Sequence, residues 1–153
     1  LHRRGFIAPR AEALIYAADR AHHIHEIVRP ALQRGEVVLQ DRYLDSSVAY
    51  QGAGRVLDPV EVRNLSLWAT EELMPEVTIL LDVPAGIGAK RQASGERQYD
   101  RLEAEALDFH ERVRESYVGL AHAEPGRFEV IDGTASIEDI HQLITQRVSA
   151  LLD

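Results

Sequence analysis

The chain has 153 residues, 45% of them hydrophobic, enough to bury one domain core. It has no cysteine, which excludes disulfides, thiolate metal sites and cysteine nucleophiles together. A formal charge of −8 sets the bulk field against nucleic acid and anionic membranes, so an anionic ligand needs a local cluster of arginines. No apolar run reaches membrane-spanning length and the basic start, Leu1 to Arg10, lacks an export-type apolar segment, so a cytoplasmic protein without nucleic-acid or membrane partners is expected.

In chain order, Leu14, Ala17, Ala18, Ala21, Ile24, Ile27, Val28 and Leu32 recur at helical spacing, which predicts a long helix from Pro9 to Gln33 with Pro30 as a kink and Gly35 as its stop. The run Val37-Val38-Leu39 shows no polar alternation, so Glu36 to Gln40 reads as a strand covered on both faces, as in a parallel sheet. A helix follows from Asp45 or Ser46, then a loop through Gly54, then a helix from Asp58-Pro59 to about Leu73 with an N-cap and a first-position proline. Val77 to Val83 is a second apolar strand closed by Asp82. Leu102 to Ala121 is helical, Arg127 to Ile131 is a third strand, and Ser136 with Asp139 caps a last helix to Leu152. Strands alternating with helices predict an α/β fold, a three-layer parallel sheet with helices on both faces. No repeat or linker divides residues 1–153, which read as a single domain.

Ligands of open α/β sheets bind at the carboxyl ends of strands, which draws attention to Asp41-Arg42-Tyr43. An aspartate there can hold Mg²⁺ directly or through water, and an arginine presents a fork of donors matched to phosphate; helix capping and a surface arginine account for the same residues. Tyr16 and Arg20, four apart on one helix, can stack on a base and bond its edge, or can form an ordinary aromatic and cation contact. In the run Ser46 to Gln51, Ser47 and Tyr50 are three apart and would turn their hydroxyls toward whatever phosphate or sugar Arg42 holds, unless Ser46 simply caps the helix. The segment from Lys90 through Arg91, Arg97 and Arg101 to Glu103 suits a mobile lid whose arginines stabilise transferring phosphate, or a solvated charge run. His22, His23 and His25 have no evident third partner and read as a helix face rather than a metal site.

The order of these pieces is more specific than any one of them. A helix with YAADRAHH, a strand ending in DRY, then SSVAYQGAGR, a strand VTILLDV and KR...GER..DRLE together resemble thymidylate kinase, especially the bacterial enzymes, from about Pro9 to the last helix. The resemblance implies a P-loop nucleoside monophosphate kinase fold, ATP and Mg²⁺ as cofactors, dTMP as substrate, dTDP as product and a homodimer. It implies that Tyr16 stacks on thymine, Arg20 reaches the base carbonyl, and Arg42 grips the acceptor phosphate with Asp41 as the metal-side acid. Ser46, Ser47, Tyr50 and Gln51 then line the base and deoxyribose, Tyr50 crowding a ribose 2′-hydroxyl. Residues 88–101 form the lid, with Arg91, Arg97 and Arg101 as its phosphate-binding candidates.

One departure matters. The family's first strand, which lies mid-sheet between the strands placed at Glu36 to Gln40 and Val77 to Val83, is missing, as is its glycine-rich loop of type GxxxxGK[ST]. No lysine precedes Lys90. The chain is therefore expected to be the carboxyl-terminal portion of such a kinase, inactive alone for want of a complete ATP site. Another nucleoside monophosphate kinase, or a non-catalytic nucleotide-binding or dimerisation module, are the competing readings.

Overall fold

Residues 7–54, 57–88 and 107–152 are described by a computed structural model. They belong to two compact units, Leu1–Met74 and Pro75–Asp153. The first is helical. Helix α1, Pro9–His23, begins with proline at a position that has no intrahelical donor duty, and Glu12 lies in its first turn. The expected single helix to Gln33 continues, but through a π-helical segment, π1, Ile24–Val28, before α2, Arg29–Gln33. Pro30 gives the reason: it supplies no N–H and its ring crowds the preceding turn, and the Arg29 amide instead reaches back five residues to the Ile24 carbonyl. Gly35 ends the run at φ 75°, a left-handed conformation that glycine adopts without steric cost.

The run expected as a strand at Glu36 to Gln40 is irregular instead. Val37 is 68% and Leu39 97% exposed. A strand needs a neighbour to receive its backbone ladder, and among the described residues this segment has none.

Helix α3, Leu44–Ser47, runs directly into a second π segment, π2, Val48–Gly54, and α4 follows at Pro59–Ala69. The expected cap of α4 is in place: Asp58 accepts from the Val60 amide at 2.8 Å, ahead of Pro59 and Glu61. The helix ends four residues before the expected Leu73, because Glu71 and Glu72 both take positive φ and their amides bond back to the Trp68 and Leu67 carbonyls. Arg29 closes that end, donating to the Thr70 and Glu71 carbonyls at 3.3 Å and pairing with the Glu71 carboxylate at 2.9 Å. Small buried residues, Ala13, Ala17, Ala49 and Ser66, let α1, π2 and α4 approach closely around Leu44. Gly52 is part of this packing, since a Cβ there would lie 3.1 Å from the Pro59 Cα.

The second unit carries the sheet. Strands β1, Thr78–Asp82, and β2, Phe128–Asp132, pair in parallel from Thr78 opposite Phe128 to Asp82 opposite Asp132, matching two of the three expected strands within a residue or two. Between them lies α5, Leu107–Ala123, whose described start is five residues later than the expected Leu102 because residues 89–106 lie outside the described ones. Helix α6, Ile137–Leu152, begins as expected at Ser136, which accepts from the Asp139 amide and donates to its carboxylate. Gly133 admits no side chain: a Cβ would sit 2.5 Å from Val83 Cγ2, while its amide bonds the Asp82 carbonyl at 2.9 Å. No helix among the described residues is long and apolar enough to cross a membrane.

The strand-end acids are held differently. Arg114 of α5 donates to both Asp82 oxygens, at 2.7 and 2.9 Å, a fork on carboxylate that ties helix to strand. That fork holds the Asp82 carboxyl below its ordinary range, against a smaller opposing effect of burial, and raises Arg114. Asp132 is lowered by bonds from the Thr134 hydroxyl and amide. Because Asp82 ionises more readily in the folded chain, its pair stabilises the fold above the usual carboxylate range of about pH 4, and that stability is lost as the pH falls through its own lower value. Asp82→Asn should therefore lower the thermal midpoint at pH 7, and the gap from wild type should narrow progressively as the pH falls below about 4 in melts followed by circular dichroism.

Candidate functional site

The residues singled out in the first unit do meet. Arg20, from the last turn of α1, turns its guanidinium into α3, where Nη2 donates to Ser47 Oγ at 2.9 Å and to the Tyr43 carbonyl at 3.3 Å. Its Cζ lies 5.7 Å from the Tyr43 ring centroid. Tyr43 is fixed in turn by its own hydroxyl, which donates to the Leu73 carbonyl at 2.9 Å. Burial pushes Arg20 down from its ordinary value, with Tyr43, Asp19 and Asp45 opposing, yet an arginine so shifted keeps its charge at neutral pH. Burial likewise raises Tyr43, which stays a hydrogen-bond donor. Nη1 of Arg20 is buried without a hydrogen-bond partner among the described residues.

Arg42 occupies the turn into α3 at φ 59°, a conformation that costs a residue with a side chain about 1 kcal/mol. The strain has a consequence: it places the guanidinium Cζ 4.9 Å from the Tyr50 ring centroid, on the outer side of α3 and π2. Such strained residues cluster where a ligand is clamped. Tyr16 is 37% exposed on α1, one turn before Arg20. Asp41 is exposed beside Arg42, and among the described residues no three histidine, aspartate or glutamate side chains converge on one point. Ser46 does not cap the helix. The helix starts two residues earlier, at Leu44, leaving Ser46 within its first turn, half-buried. Ser47 is buried and serves Arg20.

Glu12 and Asp45 escaped the sequence reading as site residues, and Tyr43 was named there without a role of its own. Glu12, buried at the foot of α1, accepts from Gln51 Nε2 at 3.1 Å. Its spacing of four from Tyr16 and eight from Arg20 puts all three on one helix face, a signal available in the sequence. Asp45 is a buried carboxylate one turn after Arg42, and Tyr43 is the brace of Arg20. The expected lid, 88–101 with Arg91, Arg97 and Arg101, lies outside the described residues apart from Gly88.

The family model for thymidylate kinase matches residues 1–144. The chain belongs to the thymidylate kinase family. Membership sets its fold as that of P-loop nucleoside monophosphate kinases, an α/β architecture in which the two parallel strands and their helices take their place. A thymidylate kinase of Clavibacter michiganensis subsp. michiganensis is 60% identical over 152 residues, 99% of this chain and 72% of that protein. One of Leifsonia xyli subsp. xyli is 66% identical over 140 residues, 92% of this chain and 66% of its own length. One of Bifidobacterium longum subsp. infantis is 52% identical over 146 residues, 95% and 61%. Known thymidylate kinases thus parallel nearly all of this chain, which spans between three fifths and three quarters of their length.

The strained turn gives a direct test of Arg42. Arg42→Gly and Arg42→Ala both remove the guanidinium, but glycine also relieves φ 59°, so Arg42→Gly should be more stable than Arg42→Ala by about 1 kcal/mol in urea melts.

Proposed function

We propose that the protein phosphorylates dTMP to dTDP with ATP and Mg²⁺, these residues supplying the dTMP side of the site. The observation that carries the reading is the buried, unpartnered Nη1 of Arg20, held beside Ser47 in a chain of the thymidylate kinase family. A pyrimidine carbonyl is the acceptor that such a donor lacks. Tyr16, exposed one turn away, offers its ring to the base, and Tyr50 stands toward the sugar, where it crowds a 2′-hydroxyl. Ser46 and Gln51 border the same pocket. Arg42 binds the acceptor phosphate and orients its oxygen toward the donor.

Phosphoryl transfer asks little covalent chemistry of the protein: positioning and neutralisation of spreading charge account for most of the rate. Arg91, Arg97 and Arg101 supply that neutralisation on the donor side. A hard cation keeps most of its ligands as water and phosphate oxygen, so a single exposed carboxylate, Asp41, suffices as its protein contact. The glycine-rich GxxxxGK[ST] loop occurs nowhere in the 153 residues, and Val37 and Leu39 are exposed with no strand beside them among the described residues. Both facts support a donor-phosphate cradle and a covering strand contributed by sequence outside these residues. The exposed Leu14, Ile15 and Ile27 of α1 and π1 support homodimerisation, and the absence of cysteine fits the cytoplasm.

A full-length protein containing this chain should phosphorylate dTMP in preference to dUMP, dCMP and AMP in a coupled assay. Arg20→Ala should raise KM for dTMP, and Arg42→Ala should lower kcat/KM on the order of a hundredfold. The 153-residue chain alone should show negligible turnover. Preference for a 4-amino pyrimidine or a purine would replace the dTMP reading with another nucleoside monophosphate kinase, and no turnover by the full-length protein would favour a binding module.

A further inference from the structure

Beside the bond from Arg20 to the Tyr43 carbonyl, two side-chain pairs join α1 to the segment that follows Arg42. Arg20 to Ser47 is the first; Gln51 Nε2 to Glu12 Oε1, at 3.1 Å, is the second. The second is the more deeply buried, Glu12 being 7% and Gln51 3% exposed. A carboxylate is costly to desolvate unless its oxygens are hydrogen-bonded, and here the bond ties α1 to π2. What it spans is specific. Along α1, Tyr16 lies midway between Glu12 and Arg20, and along the other element Tyr50 lies between Ser47 and Gln51. Gln51 and Tyr50 both sit in π2, a wide helical form that is rare, short and dependent on its surroundings. An anchor on the residue after Tyr50 is therefore one of the contacts that locate that ring, beside the Arg42 guanidinium.

Resting on the dTMP reading, we infer that Glu12 and Gln51 are positioning residues that set the separation of Tyr16 and Tyr50, and so the rejection of ribonucleotides. The bond holds π2 against the foot of α1, which keeps Tyr50 pressed toward the sugar carbon that bears no hydroxyl in dTMP. Without it π2 relaxes, Tyr50 withdraws, and a 2′-hydroxyl is admitted. Base recognition by Arg20 and Ser47 remains.

The test compares kcat/KM for dTMP with that for 5-methyluridine 5′-monophosphate, the same nucleotide with a 2′-hydroxyl, using the full-length protein. Gln51→Leu keeps the volume and removes the amide, and Gln51→Asn draws the amide back by one methylene and serves if the first variant does not fold. Either should reduce deoxy-over-ribo discrimination about tenfold, the worth of one buried hydrogen bond to a charged group, while KM for ATP stays within twofold. The exchange Glu12→Gln with Gln51→Glu restores a donor and acceptor across the same gap and should recover most of the discrimination. A lower melting temperature with discrimination unchanged within twofold would overturn the inference and leave the pair a packing contact. Failure of the wild-type protein to use dTMP would instead overturn the functional reading beneath it.

Discussion

The buried guanidinium of Arg20 is the contact on which the first unit depends. It reaches from α1 to residues 23 and 27 positions later, joining a helix that packs through small alanines to one only four residues long. A helix of one turn has no stability of its own, and α3 exists because Arg20, the Tyr43 brace and buried Leu44 hold it. Desolvating a cation opposes folding, which is why Arg20 is surrounded by acceptors and by the face of an aromatic ring. One of its nitrogens, Nη1, is nonetheless buried without an acceptor among the described residues.

Around that contact the backbone departs from regular geometry three times, and each departure serves placement. Pro30 converts a turn of the long helix into π1. The segment after α3 widens into π2, which carries Tyr50 and Gln51. Arg42 takes a left-handed φ and thereby lies over Tyr50 instead of following the helix. Strain in a turn persists when neighbouring tertiary contacts over-determine it, and here the braced Tyr43 and buried Asp45 that follow Arg42 do so.

The second unit solves a different problem, that of ending two parallel strands in adjacent acids. Asp82 and Asp132 share a register position, and like charges side by side repel. Arg114 neutralises one with a bidentate fork and the Thr134 hydroxyl and amide take the other. Gly133 completes the turn because nothing larger fits against Val83 and the Asp82 carbonyl. The same fork anchors α5, so strand ends and helix are positioned by one set of bonds.

Much of this was legible in the residues. Spacing of apolar positions located α1, α4, α5 and α6, and capping chemistry at Asp58 and Ser136 marked two starts, because those signals act over three or four residues and need no distant partner. Tyr16, Arg20, Arg42, Ser47 and Tyr50 were identifiable as a set from their order along the chain. The strand expected at Glu36 to Gln40 was not realised, since a sheet position depends on neighbours that local sequence does not contain. The same reason hid the Glu12 to Gln51 bond, which joins residues 39 apart, and the widened helices, which answer to packing rather than to propensity. By itself, then, the sequence marked the candidate nucleotide-binding residues and located the long helices. Only the tertiary structure decided that Ser47 serves Arg20 rather than capping, that Arg42 stands strained over Tyr50, and that Glu12 belongs with them, because each of these is a distance between elements far apart in the chain.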